Sequence, residues 1–545
     1  MDTTRRHILV AGAASAALPR FAIAQADQRP TITVAVQKIS NSNTLDDLRE
    51  QSNVGTRMSL MFVERLIDLD YQRQLQMVPG LATEWRRIDD RTVELDLRRG
   101  VKMHNGDEFT AEDVLASFSP GRMFGATHPT SQGRTLPLSG AIVTTNRTKD
   151  LPAEVPPVAR RLWPAFDHAE AMDKYKVRIV NATPDVTMEG RISCRGSGII
   201  SHRAFEAAAS WLDYARKPVG TGPYKVREFR PDVSLTMDAH DDYWGGRPPV
   251  RVLRLVEVPE TSARINGLLT GEYQFACDIP PDQIAAIEGH AGFEVQGGTI
   301  TNHRLTAFDK NHPTLADPRV RLAMAHAIDR KVIVDSLWDG RTVVPAGLQW
   351  PFYGPMFVDG WTVPEFDIVR SRELLRQAGY KGDPIPYRLL NNYYTNQVAN
   401  GQILVEMWKQ AGLNVDINMK ENWSQIFARG PERGIRDWSN SAPFNDPVSS
   451  IVSQHGPNGE QQQYGEWTNA EMNTLSYELE TSTDRPRRHA LFARMLQICE
   501  REDPAYTVLH QNATFTAKPK SIAGWKAAPS FALDFRAKNW ADQAG

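Results

Sequence analysis

With 545 residues, the chain is too long for a single hydrophobic core and leaves room for two or three domains. A formal net charge of −2 and a pI near 6.7 exclude the strong field on which nucleic-acid or membrane-surface partners draw. Hydrophobic residues make up 41% and charged residues 23%, an ordinary globular balance, and the 35 prolines and 37 glycines mark many turns without a low-complexity segment or a short repeat.

Residues 1–26 read as an export signal rather than as part of the fold. Thr4-Arg5-Arg6-His7-Ile8-Leu9 resembles a twin-arginine signal. It precedes a weakly apolar run, Ile8 to Leu18, and two small-x-small cleavage options, Ala22-Ile23-Ala24 and Ala24-Gln25-Ala26. The run is too short for a permanent membrane anchor, and no cysteine near the cleavage options offers a lipid attachment point. The expectation is a soluble periplasmic protein exported already folded; the competing reading is a cytoplasmic protein with a chance arginine pair. Of the three cysteines, Cys499 shares a helical apolar face with Phe492, Met495 and Leu496 and is assigned to the core. Cys194 and Cys277 could pair in an oxidising compartment, a point their positions in the chain leave open.

Along the chain, Thr31 to Val36 has strand character, and the small polar stretch Ser40 to Asp46 reads as a turn. Gly55 to Leu66 has helical spacing, with Met58, Met61, Phe62 and Leu66 as core positions. A compact unit follows from Pro79 to Ser117. In it Val93, Leu95 and Leu97 alternate with Thr92, Glu94, Asp96 and Arg98, which predicts a half-buried strand. Asn105-Gly106 is a tight-turn dipeptide, and Thr110 with Asp113 forms a capping-box variant that opens a short helix. Between Pro120 and Lys174 periodicity is lost, which predicts a long connection or surface insertion. Pro218-Val219-Gly220-Thr221-Gly222-Pro223-Tyr224-Lys225 permits one sharply turned path, and it lacks the spacing of a P-loop or a dinucleotide fingerprint.

The chain is expected to cross into a second unit from about Gly297 to Phe308. Asp317 and Pro318 there read as N-cap and first helical residue, and Asp329 caps a further helix ended by Gly340. A helix carrying Leu374, Leu375 and Ala378 stops at Gly379, and one carrying Leu404, Met407, Trp408 and Ala411 stops at Gly412. Leu413, Val415, Ile417 and Met419 then alternate with polar residues. Strand, helix, strand in this order predicts an α/β unit with parallel pairing. Residues from about Ala505 to Thr514 should cross back, with Lys520 to Trp540 completing the first unit.

Several spaced motifs together resemble the extracytoplasmic solute-binding proteins of ABC importers, in the family that binds peptides, nickel and related ligands. They are Glu84-Trp85, Leu97-Arg98-Arg99-Gly100-Val101, the His104-Asn105-Gly106 turn, Thr110-Ala111-Glu112-Asp113-Val114, and Gly220-Thr221-Gly222-Pro223-Tyr224. Asp242-Tyr243-Trp244-Gly245-Gly246 and Gly271-Glu272-Tyr273 follow in the family's order. The resemblance implies an α/β, two-lobed, type II-like periplasmic binding protein of the large cluster with an extra subdomain, its lobes joined by hinge crossovers. Lobe I would span residues 27–300 with the accessory subdomain at about 70–205, lobe II 301–510, and residues 511–545 would return to lobe I.

No HExxH, GxSxG, Walker A or cysteine–histidine zinc spacing occurs. His104, His202 and His326 lack ligand-spaced partners, and Asp89-Asp90 and Asp241-Asp242 are turn residues rather than an acid/base pair. The expectation is a binding protein without catalysis, cofactor or metal; a secreted α/β hydrolase is the rival from another class, and a chaperone for extended peptides a third reading. The resemblance implies a site facing an interlobe cleft: Asn41, Ser42, Asn391, Asn392, Tyr393, Tyr394, Trp423, Trp438, Asn440 and Ser441, with Trp350 and Phe352 as further aromatics. Peptide binders of the family hold the ligand's ammonium with an aspartate in the stretch that matches Asp437-Trp438-Ser439-Asn440-Ser441, and here Ser441 stands at that place. Dipeptide-specific members resemble Arg-Pro-Tyr where this chain has Asn391-Asn392-Tyr393. Both charged anchors are then missing, and the expected solute is neutral and polar, sugar-like, opine-like or a modified peptide. Asp437 or Asp446 would serve as cation partner in a shifted register, and a nickel-type metallophore is a further option. A conventional di/oligopeptide-binding protein is the alternative. The partners implied are the small solute and the permease subunits of an ABC importer, with no nucleic acid, and the protein is expected to act as a monomer.

Overall fold

The computed structural model describes residues 27–125, 127–129, 135–137, 150–391, 393–430 and 433–540. The expected export signal, much of the 120–174 segment and Asn392 therefore lie outside the described residues. A ten-stranded sheet is the backbone of the molecule. Its strands run in the order Tyr224–Arg230, Ser234–Ala239, Val252–Glu257, Thr31–Val36, Phe275–Ala276, Tyr506–Pro519, Phe293–Phe308, Ile435–Ser441, Ile385–Leu390 and Val415–Lys420. Thr31–Val36 lies inside the sheet, parallel to Val252–Glu257, and its Val34, Ala35 and Val36 are fully buried, which is why it ends in an apolar run.

The two long strands Phe293–Phe308 and Tyr506–Pro519 pair antiparallel along their length, with a register shift between Thr299 and His303. These are the two segments expected to cross between halves, and each changes neighbours partway. Ala517 pairs with Phe275–Ala276 at one end, whereas Asn302–Phe308 pairs with Ile435–Ser441 at the other. At the crossing the backbones approach so closely that a Cβ on Gly297 would lie 2.0 Å from the Thr514 carbonyl oxygen, and Gly297 also has a positive φ of 142°. The two ends of the sheet bury separate cores. One contains Val34, Phe275, Trp525 and Phe535, the other Phe308, Tyr387, Leu404 and Trp408. On the second side Ile385–Leu390 is parallel to both Val415–Lys420 and Ile435–Ser441, the parallel α/β arrangement expected from strand, helix, strand.

A separate four-stranded antiparallel sheet, Ala82–Asp89, Thr92–Leu97, Lys176–Asn181 and Phe166–Asp173, has its own core around Leu95, Trp163, Phe166 and Ile179. Two expectations need correction here. The strand Thr92–Leu97 is not half-exposed: Glu94 is buried, because Arg86, Arg178 and Lys176 surround its carboxylate. The stretch 150–174, read as part of an aperiodic connection, is structured as the helix Val155–Leu162 and the strand Phe166–Asp173.

Local signals were read correctly where a hydrogen bond closes within a few residues. Thr110 and Asp113 make the capping box, Asp317 caps Pro318–His326, Asp329 caps Arg330–Trp338, and Gly379 and Gly412 end their helices in the left-handed conformation. The helix expected over Gly55 to Leu66 is shorter, Thr56–Phe62. The Gly220–Gly222 turn packs on its end, where added Cβ atoms would stand 2.3 Å from the Phe62 oxygen and 2.6 Å from the Met61 oxygen. Cys194, Cys277 and Cys499 are all buried and free, so the Cys194–Cys277 pairing does not form. Cys194 Sγ instead donates to the Arg191 and Arg195 carbonyls, and Cys277 Sγ accepts from Thr516.

Candidate functional site

A cavity of about 1060 Å³, measured out to its open mouth, lies between three groups of residues. The first wall is the segment Ser40–Asn53, which a single carboxylate shapes. Glu50 is only 3% exposed and takes six hydrogen bonds, from Ser40 Oγ, Asn41 N, Ser42 N, Ser42 Oγ, Ser52 N and Ser52 Oγ. Among the described residues no cation lies within ion-pair distance of it. Gly55 leaves the room its side chain needs, since a Cβ there would stand 2.1 Å from Glu50 Cγ. Arg49 braces the outer edge of the wall by donating to the Ser42 carbonyl and pairing with Glu154 at 2.6 Å.

The opposite wall is aromatic. Gln397, the first residue of helix Gln397–Ala411, accepts from Tyr393 N at 2.8 Å and Tyr394 N at 3.1 Å, which fixes both tyrosines at the helix entrance. Tyr393 meets Trp423 edge to face with centroids 4.9 Å apart, and Trp423 meets Trp438 in the same way at 5.0 Å. Phe427 stacks on Tyr464 at 3.7 Å. Burial pushes the Tyr393 phenol well above its usual range and that of Tyr394 up to about 12, so both are neutral donors at physiological pH. Two polar atoms on this wall have no partner among the described residues, Trp423 Nε1 and Asn440 Oδ1, although Asn440 Nδ2 donates to the Ser450 carbonyl at 3.3 Å. Asn53 Nδ2 reaches across to Ser439 Oγ at 3.2 Å, so the two walls touch directly at one edge.

The third group is basic. Arg161 comes from helix Val155–Leu162 and Arg195 from the turn after helix Met188–Ser193. Arg161 lies 3.4 Å from Glu460 and 3.3 Å from Gln51 Oε1, and its Nε is buried without a partner among the described residues. Arg195 donates to the Gln51 carbonyl at 2.8 Å and has no carboxylate within 4 Å among the described residues. Burial, together with the neighbouring Arg161, pulls the pKa of Arg195 below the usual arginine value. Asn53, Arg195, Ser441 and Pro443 also border a second chamber of about 570 Å³.

Of the residues named from the sequence, Asn41, Ser42, Tyr393, Tyr394, Trp423, Trp438, Asn440 and Ser441 line the main cavity. Asn391 is exposed and does not line it. Trp350 is buried against His303 with ring centroids 4.0 Å apart, and Phe352 borders a different cavity. Asp437 is no free cation partner. It is 1% exposed and paired with Arg304, accepts from Gln397 Nε2 at 2.6 Å, and is raised above the usual carboxylate value by burial, which the arginine opposes. Asp446 is likewise held by Arg488 at 2.8 Å. His104 is half-buried and held between Gly222 O and Gly220 N, and His326 Nδ1 meets Glu365 O, in keeping with structural roles. Arg49, Glu50, Arg161, Arg195 and Glu460 escaped the sequence reading. Among the described residues no cluster of three histidine, cysteine or acidic side chains is placed to hold a metal ion.

A cavity caught between two sheet-based halves, walled by hydrogen-bonding and aromatic side chains, defines a two-lobed α/β binding protein. Over residues 76–460 the sequence matches the Bacterial extracellular solute-binding proteins, family 5 Middle, and the chain belongs to that family. It is thus an extracytoplasmic solute-binding protein of the ABC-importer type rather than an enzyme. It is 26% identical over 489 residues to Di/tripeptide-binding protein 2 of Pseudomonas aeruginosa, covering 84% of this chain and 86% of that one. Its fold is similar to that of the dipeptide binding protein of Pseudoalteromonas sp. SM9913 in complex with Met-Leu, with a TM-score of 0.81, 20% identity, and coverage of 93% and 99% of the two chains. It is also similar to the binding protein AgaA of A. tumefaciens R10 in complex with agropinic acid, with a TM-score of 0.74, 18% identity, and coverage of 93% and 96%. Among the described residues no helix is long and apolar enough to cross a membrane.

Proposed function

We propose that the protein captures a short peptide, of the di- or tripeptide class, in the main cavity and delivers it to the permease of an ABC importer. The observation that carries this reading is the presence of both charge signs on the cavity walls. Arg161 and Arg195 face one side, and Glu460 stands 3.4 Å from Arg161. A zwitterion can exchange its own carboxylate and ammonium into that partly satisfied set, which limits the cost of leaving buried charges unpaired. The expectation of a neutral sugar-like or opine-like solute rested on missing charged anchors; these arginines and Glu460 remove that premise, although they come from other parts of the chain. The aromatic wall suits apolar peptide side chains as well as it suits sugar rings. Similarity to the di/tripeptide-binding relative supports the same reading. Residues 1–26 serve as a twin-arginine export signal, and the mature protein works as a monomer in the periplasm. The test is native mass spectrometry of the signal-less protein, with mass analysis of whatever it releases, followed by calorimetry against dipeptides and monosaccharides. A released di- or tripeptide mass and saturable dipeptide binding are expected. A released sugar or opine mass, with no dipeptide binding, would overturn the proposal.

A further inference from the structure

The second chamber differs in charge from the first. Glu50 and Glu460 line the main cavity along with Arg49, Arg161 and Arg195, whereas the residues lining the second chamber include Arg65 and Arg195 and no aspartate or glutamate. Thr56, Thr301, Ser441 and Ser530 line the same space, and Leu60, Ala442 and Ala532 supply its apolar part. Arg65 is 6% exposed; its Nη1 donates to the Ser193 carbonyl at 3.3 Å, and its guanidinium also meets the Tyr71 phenol, which lines the same chamber. The carboxylate that acts on it, Asp47, lies beyond ion-pair distance and is tied to the amides of Gly196 and Gly198 at 2.9 and 3.3 Å. Arg195 stands at the junction, lining both chambers, and among the described residues its guanidinium makes one hydrogen bond, to the Gln51 carbonyl. Two guanidinium groups with no carboxylate in ion-pair contact among the described residues, set beside hydroxyl-bearing side chains, are arranged to receive an anion, and a planar guanidinium matches a carboxylate in geometry.

We infer that the second chamber receives the free carboxylate end of the solute, with Arg195 as its anchor and Arg65 behind it, so that the peptide lies with its ammonium end in the main cavity. This rests on the peptide reading above and adds to it a direction of binding and a requirement for a free C-terminus. Arg195 is also the divider between the chambers, so its side chain sets how far a peptide reaches past the junction.

The test compares Met-Leu and Ala-Leu-Ala with their C-terminal amides by calorimetry, on the wild-type protein and on Arg195→Gln, whose folding is checked by its melting curve. Loss of a charge-assisted hydrogen bond predicts about 10- to 100-fold weaker binding of the amides to the wild-type protein. In Arg195→Gln the acid and its amide are expected to bind within about 3-fold of each other, because the glutamine cannot tell them apart by charge. The wild-type comparison needs no variant. Equal binding of acid and amide there would overturn the inference while leaving the peptide reading in place. A wild-type preference for the acid that survives Arg195→Gln would take the carboxylate away from this chamber. No binding of any of the four probes would sink the peptide reading and the inference together.

Discussion

Two buried carboxylates stand behind the two walls of the cavity, and they are satisfied in opposite ways. Glu50 is surrounded by six neutral donors from its own segment, Ser40 to Ser52. Asp437 is instead held by partners distant in sequence, Arg304, Gln397 and Tyr387. The first wall is therefore a locally closed loop that carries its own charge, and the second is assembled from three separate stretches locked by an ion pair. Arg304 also lies over the Tyr394 ring at 3.6 Å, so the aromatic wall depends on that pair. The difference indicates where damage stays local and where it spreads.

The comparison breaks most directly at Asp437. Replacing Asp437 with Ala leaves Arg304 buried and unpaired, and is expected to cost about 3–5 kcal/mol in unfolding free energy, measured by denaturant titration. Dipeptide affinity should fall with it, because Tyr394 loses its support. A loss under about 1 kcal/mol would mean that the wall stands without the pair.

A third buried carboxylate, Glu480, lies between these extremes, since its cation is shared. Arg191 reaches Glu480 at 2.7 Å but also pairs with Asp185 at 2.6 Å, while Asp446, itself paired with Arg488, adds further negative charge. Burial first, and the neighbouring acids second, push Glu480 up from 4.5 to about 7 against the pull of Arg191. A carboxyl whose folded value exceeds its unfolded value favours the fold in its protonated form. The contribution is complete below about pH 4.5 and is lost as pH rises through about 7. Wild type and Glu480→Gln should therefore match in stability near pH 4.5, with the wild type falling behind by up to about 3 kcal/mol at pH 8. A difference that stays flat across this range would show that Arg191 holds Glu480 ionised throughout.

Glu50→Gln should have a smaller and more local effect. The amide keeps the shape but turns one acceptor into a donor facing donors, at a cost of about 2 kcal/mol. Loss of hydrogen-exchange protection should be confined to residues 40–55, whereas Asp437→Ala should loosen Tyr387, Gln397 and Arg304 together. Exchange that spreads equally in both variants would erase the distinction between the walls.

The same contrast explains what the sequence disclosed. Caps and turns were legible because their hydrogen bonds close within three residues, as at Thr110 and Asp113 or Asp317 and Arg319. Gly220 and Gly222 could be read as a turn, but their close approach to Phe62 and Met61 exists only in three dimensions. The aromatic wall was reached through family resemblance. Arg161 and Arg195 were not, because Arg161 meets Glu460, about 300 residues further along the chain, and Arg195 meets Gln51, 144 residues before it. One signal was available and passed over: Val155, Ala159 and Leu162 recur at helical spacing, with Pro156 and Pro157 suited to the first turn, and they are the buried face of the helix that carries Arg161. Asp437 misled the reading because an acid beside a tryptophan says nothing of the arginine that has already claimed it.

Trp423 offers the mildest and most discriminating change. Its Nε1 is buried with no partner among the described residues, on the wall that leaves polar atoms open. Trp423→Phe removes that donor and some ring area but keeps an aromatic face against Tyr393 and Trp438. If the indole N–H is kept for the solute, dipeptide binding should weaken by about 10-fold, the worth of one hydrogen bond. Stability should hardly move, within about 1 kcal/mol, since deleting an unsatisfied buried donor offsets part of the lost packing. Affinity and stability should therefore part company here, whereas at Asp437 they should fall together. A variant that loses stability but binds dipeptides as well as wild type would make Trp423 a core residue at the edge of the cavity and move recognition to the arginine side.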